Sequence, residues 1–425
     1  MHMHAGRQTR RFSLLQFFFW SSIVCFEAFL VPYLRSVGYA PGRIGTVMAA
    51  IFAFALVGQP VLGSITDRIR SPRYLVAGVL IVAAGAVNLI PVVRFSFLAV
   101  VALALLYSVT ANSLPAVLDA WIMSRRETPD APDYGVARGF GSFGFAAAAV
   151  AVGFLTDRFG LELLFPAYLV LVLAAAGIAL LMPRSARPER PQTHREQTVA
   201  EWPTEELGVA APAPEVRTPP LHGFLEGLRA VLQNPRYLLL LAAALIAFMG
   251  LRAGITFIPL LIEDLGGTVS DVGLAHSIGA VSEVPFFFLS GAILRRYRGL
   301  PLLGSILILF AARLFAYTMV GSVWGVLALQ LTHGLTFGLF LAGAVDYIHR
   351  IAPPEHRGFF QTLAPSVYFG VGSIIGSWLG GIVIEVTTVV VLYRLAAGAS
   401  LAAAALTLLA PRLRFTQNRR SRAHQ

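Results

Sequence analysis

YLLLLAAALIAFMGLRAGITFIPLLI, residues 237–262, carries one charged side chain, Arg252, in twenty-six positions. Crossing a bilayer core takes ~20 mostly apolar residues in a helix, because backbone polar groups in lipid must bond to one another. This stretch therefore reads as a membrane span. Outward from it, the same reading recurs at 13–34, 43–65, 74–93, 95–122, 134–156 and 161–182 on one side. It recurs at 270–291, 300–319, 323–348, 358–384 and 387–410 on the other. The sequence predicts an all-α membrane protein with twelve transmembrane helices in two pseudo-symmetric six-helix bundles.

Composition agrees. Of 425 residues, 56% are hydrophobic and 13% charged. A soluble chain carries roughly twice that share of charge, so lipid is the solvent for much of this one. The net charge is +11, and all 33 basic residues are arginine. Nucleic acid is excluded as the reason, since these arginines stand between apolar runs. Arg7, Arg10, Arg11, Arg68, Arg70, Arg73, Arg125, Arg126, Arg295, Arg296, Arg298, Arg350 and Arg357 mark the N-terminus and even loops, and more fill the tail. The odd loops are poorer in arginine, which places both termini in the cytoplasm of a cell with this protein in its inner membrane. The first apolar run is long enough to span and lacks a small-residue cleavage site, so it reads as span 1. Cys25, the single cysteine, has no partner for a disulfide, and no cluster has metal-ligand spacing. Neither cofactor nor metal is expected.

The stretch 183–220 is rich in Pro, Glu and Arg and reads as a disordered linker; LHGFLEGLRAVLQN after it has the period of a surface helix. The expected organisation is a first bundle at 1–182, a linker with its surface helix at 183–235, and a second bundle with a basic tail at 236–425. A weak repeat relates the bundles: PYLRSVGYAPGRIG from Pro32 and PLLIEDLGGTVSDVG from Pro259 both put a proline near a helix end and a Gly-containing turn after it. Gly372, Gly376 and Gly380 form a stripe for close helix packing.

Ionisable groups within spans cost roughly 3 kcal/mol each on insertion scales, so they face protein or a wet cavity. Asp119 near the inner end of span 4 and Arg138 near the inner start of span 5 are predicted at one height, able to pair, with Asn112 seven residues before Asp119 on its face. Glu283, Arg313 and His333 fall at similar depths in spans 8, 9 and 10, and His276 shares the face of Glu283. Glu27 is either a cavity carboxylate or a packing partner. Arg252 either attracts an anionic substrate or pairs with Glu27 or Glu283.

Three stretches resemble the major facilitator superfamily, most of all its lactose permease and phenylpropionate transporter branch. They are Gln59-Pro60-x-x-Gly63-x-x-x-Asp67-Arg68-x-Arg70; Asp133-Tyr134-Gly135-Val136-Ala137-Arg138-Gly139-Phe140-Gly141-Ser142; and the set Val281-Ser282-Glu283-Val284, Ala312-Arg313-Leu314 and Leu331-Thr332-His333-Gly334. The likeness covers nearly all the chain except linker and tails. It implies alternating access, with Asp67, Arg68 and Arg70 latching a cytoplasmic gate, Asp119 and Arg138 binding substrate, and Glu283, Arg313 and His333 coupling to protons; Asn112, Glu27 and Arg252, the last unlike the permease, are expected at the substrate site from their own positions in the spans. The branch has a carboxylate one turn after the span 10 histidine and a lysine before it, where this chain has Thr336 and Gln330. Glu283 is therefore the expected proton carrier, with Glu27 and Asp119 behind it. The implied protein is a monomeric proton symporter of a sugar, nucleoside or aromatic carboxylate, its partners being that solute, protons and membrane lipids. A proton-coupled efflux antiporter uses the same groups. No phosphate loop, serine elbow or metal motif points to an enzyme, and no sizeable soluble domain points to a receptor.

Overall fold

The computed structural model describes residues 2–69, 71–125, 131–183 and 221–409. Among them are twelve helices long and apolar enough to cross a membrane: Gly6–Ser36, Pro41–Thr66, Pro72–Leu89, Phe97–Met123, Tyr134–Phe159, Leu161–Leu180, Pro235–Asp264, Val269–Arg296, Gly299–Ala316, Val323–Ile351, Pro354–Val386 and Val389–Leu409. These are spans 1–12. The linker, apart from Pro183, and the tail from residue 410 lie outside the described residues.

Spans 4, 10 and 11 are interrupted within their length. Span 4 breaks at Thr110, passes through a single tight turn at Ala111–Ser113 and resumes at Leu114, with Pro115 in the new first turn. Proline is well placed there because its missing N–H is unneeded at a helix start. Spans 10 and 11 each contain a wide, π-type turn, at Gly334–Gly338 and Ser366–Val371. Such turns are rare and cluster at functional sites.

Contacts divide the chain into two compact units. One comprises 1–29 and 54–209, the other 30–53 and 210–425. In the first, Phe26, Tyr107 and Tyr168 form an aromatic cluster with centroids 4.6–6.3 Å apart. Cys25 is buried beside it as an ordinary core residue, its thiol donating to the Leu164 carbonyl. In the second, Phe248 of span 7 is the hub, touching Phe310, Phe337, Phe340, Tyr368 and Phe369. The Leu221–Leu232 helix joins this unit by burying Val231 and setting Phe224 edge-on to Phe359, while Leu225 and Leu232 stay exposed.

Both halves of the sequence repeat end a span in the same way. Span 1 stops at Ser36 and Gly38 turns the chain at φ 90; span 7 stops at Asp264 and Gly266 turns it at φ 75. Positive φ is the reason a glycine stands in each turn. The glycine stripe of span 11 also does what its spacing predicts. A β-carbon on Gly376 would fall on the Met249 carbonyl, and one on Gly380 would lie 3.0 Å from both Ala253 and Phe257. Spans 7 and 11 thus meet backbone to backbone. Gly376→Leu is expected to destabilise the protein by at least the ~1–3 kcal/mol of an overpacked core, read as a lower midpoint of thermal unfolding in detergent.

Candidate functional site

In the second unit the structure joins the three groups expected from spans 8, 9 and 10. His333 Nε2 lies 3.2 Å from Glu283 Oε1, and His333 Nδ1 lies 2.8 Å from Arg313 Nη1. A guanidinium only donates, so Nδ1 is the acceptor and the ring's proton sits on Nε2, facing the carboxylate. The neutral imidazole thus bridges an anion and a cation. His333 thus stands between Glu283 and Arg313, an order that their similar depths along the spans do not give.

Arg313 is 7% exposed, and neutral acceptors surround its terminal nitrogens. It donates to Gln330 Oε1 at 2.7 Å, to the Tyr317 hydroxyl at 3.1 Å and to Thr336 Oγ1 at 3.3 Å. The two residues that depart from the family pattern, Gln330 and Thr336, are therefore neutral acceptors that solvate a buried guanidinium. Phe337 stacks on His333 at 5.1 Å and 14°. His276 lies within electrostatic reach of Arg252 and His333.

In the first unit Asp119 and Arg138 share a half-buried cluster. Among the described residues no direct ion pair joins them, contrary to the expected pairing. Arg138 instead stacks over the Trp20 ring at 4.5 Å. Trp20 Nε1 donates to Gln16 Oε1 at 2.9 Å, and Gln16 Nε2 donates to Asp119 Oδ1 at 3.3 Å. Tyr134 reaches both Asp119 and Arg138 with its hydroxyl. A carboxylate, an amide, an indole face and a guanidinium in one place offer acceptors, donors and a stacking platform, the means by which a polyhydroxylated ring is held. Gln16, Trp20 and Tyr134 were missed by sequence reasoning, which started from the charges inside spans and added only Asn112 beside them.

The remaining expected residues stand elsewhere. Asn112 falls in the break of span 4 and makes no side-chain hydrogen bond among the described residues, so its seven-residue spacing from Asp119 starts at an interruption of the helix. Glu27 accepts from the Tyr107 hydroxyl at 3.1 Å. Arg252 lies over the Phe52 ring at 3.8 Å, which covers one face of its guanidinium. Of the expected gate, Arg68 is exposed at the end of its helix, while the Asp67 side chain and Arg70 lie outside the described residues. No cluster of His, Cys, Asp or Glu suited to a metal is found among the described residues.

Comparison with known proteins extends this picture. The profile of the MFS_1 like family matches residues 9–395. The maltose permease of Geobacillus stearothermophilus is 28% identical over 386 residues, 90% of this chain and 89% of its own. The putative nucleoside transporter YegT of Escherichia coli (strain K12) is 24% identical over 401 residues, 89% of this chain and 85% of its own. The crystal structure of the nucleoside transporter NupG superposes with a TM-score of 0.76 at 18% identity, over 94% of this chain and 98% of that one. At that identity the last likeness speaks for the fold.

Proposed function

The chain belongs to the MFS_1 like family of membrane transporters, and on that premise we propose that it takes up a polyhydroxylated solute, a sugar or a nucleoside, in symport with a proton. It is a multi-pass membrane protein and a secondary transporter of a small solute rather than an enzyme. The observation that carries the finer reading is the Glu283–His333–Arg313 relay. A carboxylate that meets a cation only through a neutral imidazole has two stable states. With the relay closed it stays ionised, accepting from His333 Nε2–H. When Arg313 is drawn off, the imidazole loses its polarising donor and the carboxylate takes up a proton. Proton entry is thereby linked to whatever moves Arg313.

The Asp119–Gln16–Trp20–Arg138 cluster supports the substrate class, as does the likeness to a maltose permease and a putative nucleoside transporter. Alternating access uses the spans before and after the 183–235 linker as two moving halves, in a cell membrane with both termini cytoplasmic. Aromatic carboxylates are the less favoured class, because the guanidinium expected to attract them, Arg252, stacks on Phe52.

The test is uptake of radiolabelled maltose and uridine into vesicles holding the purified protein. A proton gradient directed inward is expected to drive accumulation, and Glu283→Gln to reduce uptake to equilibration while leaving exchange of internal for external solute. Accumulation driven only by the opposite gradient would make the protein an antiporter, and indifference to either gradient would remove proton coupling.

A further inference from the structure

Span 10 departs from α-helix at the site. Its regular part ends at Gln330, and the wide turn begins at Gly334, immediately after His333. At that point the backbone is tied to a neighbouring helix. Gly334 N–H donates to Ser282 Oγ at 3.0 Å, and the same hydroxyl donates to the Gly279 carbonyl of its own span 8 at 2.7 Å. Ser282 is 8% exposed, so water does not compete. The fit is close: a β-carbon on Gly334 would collide with the Ser282 carbonyl and come within 2.7 Å of Glu283 Cα.

The residues flanking this contact are the relay itself. Glu283 follows Ser282 and His333 precedes Gly334. We infer that Ser282 is a positioning residue for proton coupling, its hydroxyl pinning the Gly334 backbone so that His333 is delivered onto Glu283. This rests on the proton-coupled reading above. The hydroxyl touches neither proton nor solute; it acts by holding the wide turn open on the side facing span 8. Without it span 10 has no partner at Gly334 to favour the wide turn over regular helix. Removing one residue's worth of bulge turns the two sides of a helix relative to each other by about 100°. That carries the imidazole off the carboxylate. The titratable and charged groups around the pair are His276 on span 8, Arg313 on span 9 and Arg252 on span 7.

Two readouts on the full-length protein in lipid nanodiscs test this without a solute. Hydrogen exchange of the peptide covering residues 331–338 is expected to quicken severalfold in Ser282→Ala and to stay slow in Ser282→Thr, which keeps the hydroxyl. The infrared carboxyl band of Glu283, identified by its loss in Glu283→Gln, is expected to change its frequency in Ser282→Ala, where the carboxylate loses the His333 Nε2–H bond, and to return in Ser282→Thr. A Ser282→Ala protein whose Glu283 band stays at the wild-type frequency overturns the inference, even if it unfolds at lower temperature, because a purely structural serine would lower stability alone. If the Glu283 band shows no protonation in wild type, the proton-coupled reading fails, and exchange at 331–338 alone decides whether Ser282 holds the turn.

Discussion

Arg313→Leu abolishes transport and lowers thermal stability: this is the largest effect expected of any single substitution here. Four acceptors converge on this guanidinium, namely His333 Nδ1, Thr336 Oγ1, the Tyr317 hydroxyl and Gln330 Oε1. Leucine leaves all four without their donor in a site where the side chain was 7% exposed. It also leaves the Glu283 carboxylate without the cation it senses through His333. Deleting one partner from a buried charge network costs about 3–5 kcal/mol, or roughly a 10²- to 10⁴-fold change in an equilibrium. Arg313→Lys separates the two consequences. It keeps the charge, but a compact ammonium has three donors and no planar fork to span acceptors on two helices. It is expected to recover most of the stability and little of the proton-driven accumulation. Unfolding midpoints and vesicle uptake measured side by side check this; a leucine variant with wild-type uptake would remove Arg313 from the mechanism.

The fold was legible because it follows from one physical requirement. Lipid forces backbone bonding to be internal, so runs such as 237–262 announce themselves by length and lack of charge. The relay was legible in part. Depth arithmetic placed Glu283, Arg313 and His333 at one height, but height along a helix does not give the direction in which a side chain points. That is why the order Glu283–His333–Arg313 emerged only with coordinates. It was harder still to foresee that the helix under His333 is not regular, because the wide turn at Gly334–Gly338 leaves no mark in hydropathy. The first-unit cluster was half read for a different reason. Asp119 and Arg138 stood out as charges in oil, whereas Gln16 and Trp20 are unremarkable near the start of a span. Yet a neutral amide and an indole are what keep the two charges from closing on each other.

That separation sets up the second large effect. An ion pair closed on itself offers a solute little, since both partners are already satisfied. Here Gln16 takes one Asp119 oxygen at 3.3 Å, Trp20 takes one face of Arg138 at 4.5 Å and the Tyr134 hydroxyl reaches both, so each charge is held by neutral groups that solute hydroxyls can replace. Asp119→Asn keeps the shape and half the acceptor capacity but loses the charge. Hydrogen bonds to charged groups contribute about 1.5–3 kcal/mol each, so affinity for maltose or uridine is expected to fall roughly 10- to 150-fold. Arg138→Gln is expected to match it. Trp20→Ala removes a stacking platform and a cation–π contact of about 0.5–2 kcal/mol, and Trp20→Phe restores the platform without the indole donor. If the cluster binds solute, affinity follows the series while the solute-free unfolding midpoint stays nearly level. If the cluster merely holds spans 1, 4 and 5 in register, the midpoint falls along the series and the stabilisation by solute is unchanged, because what was removed was never facing the solute.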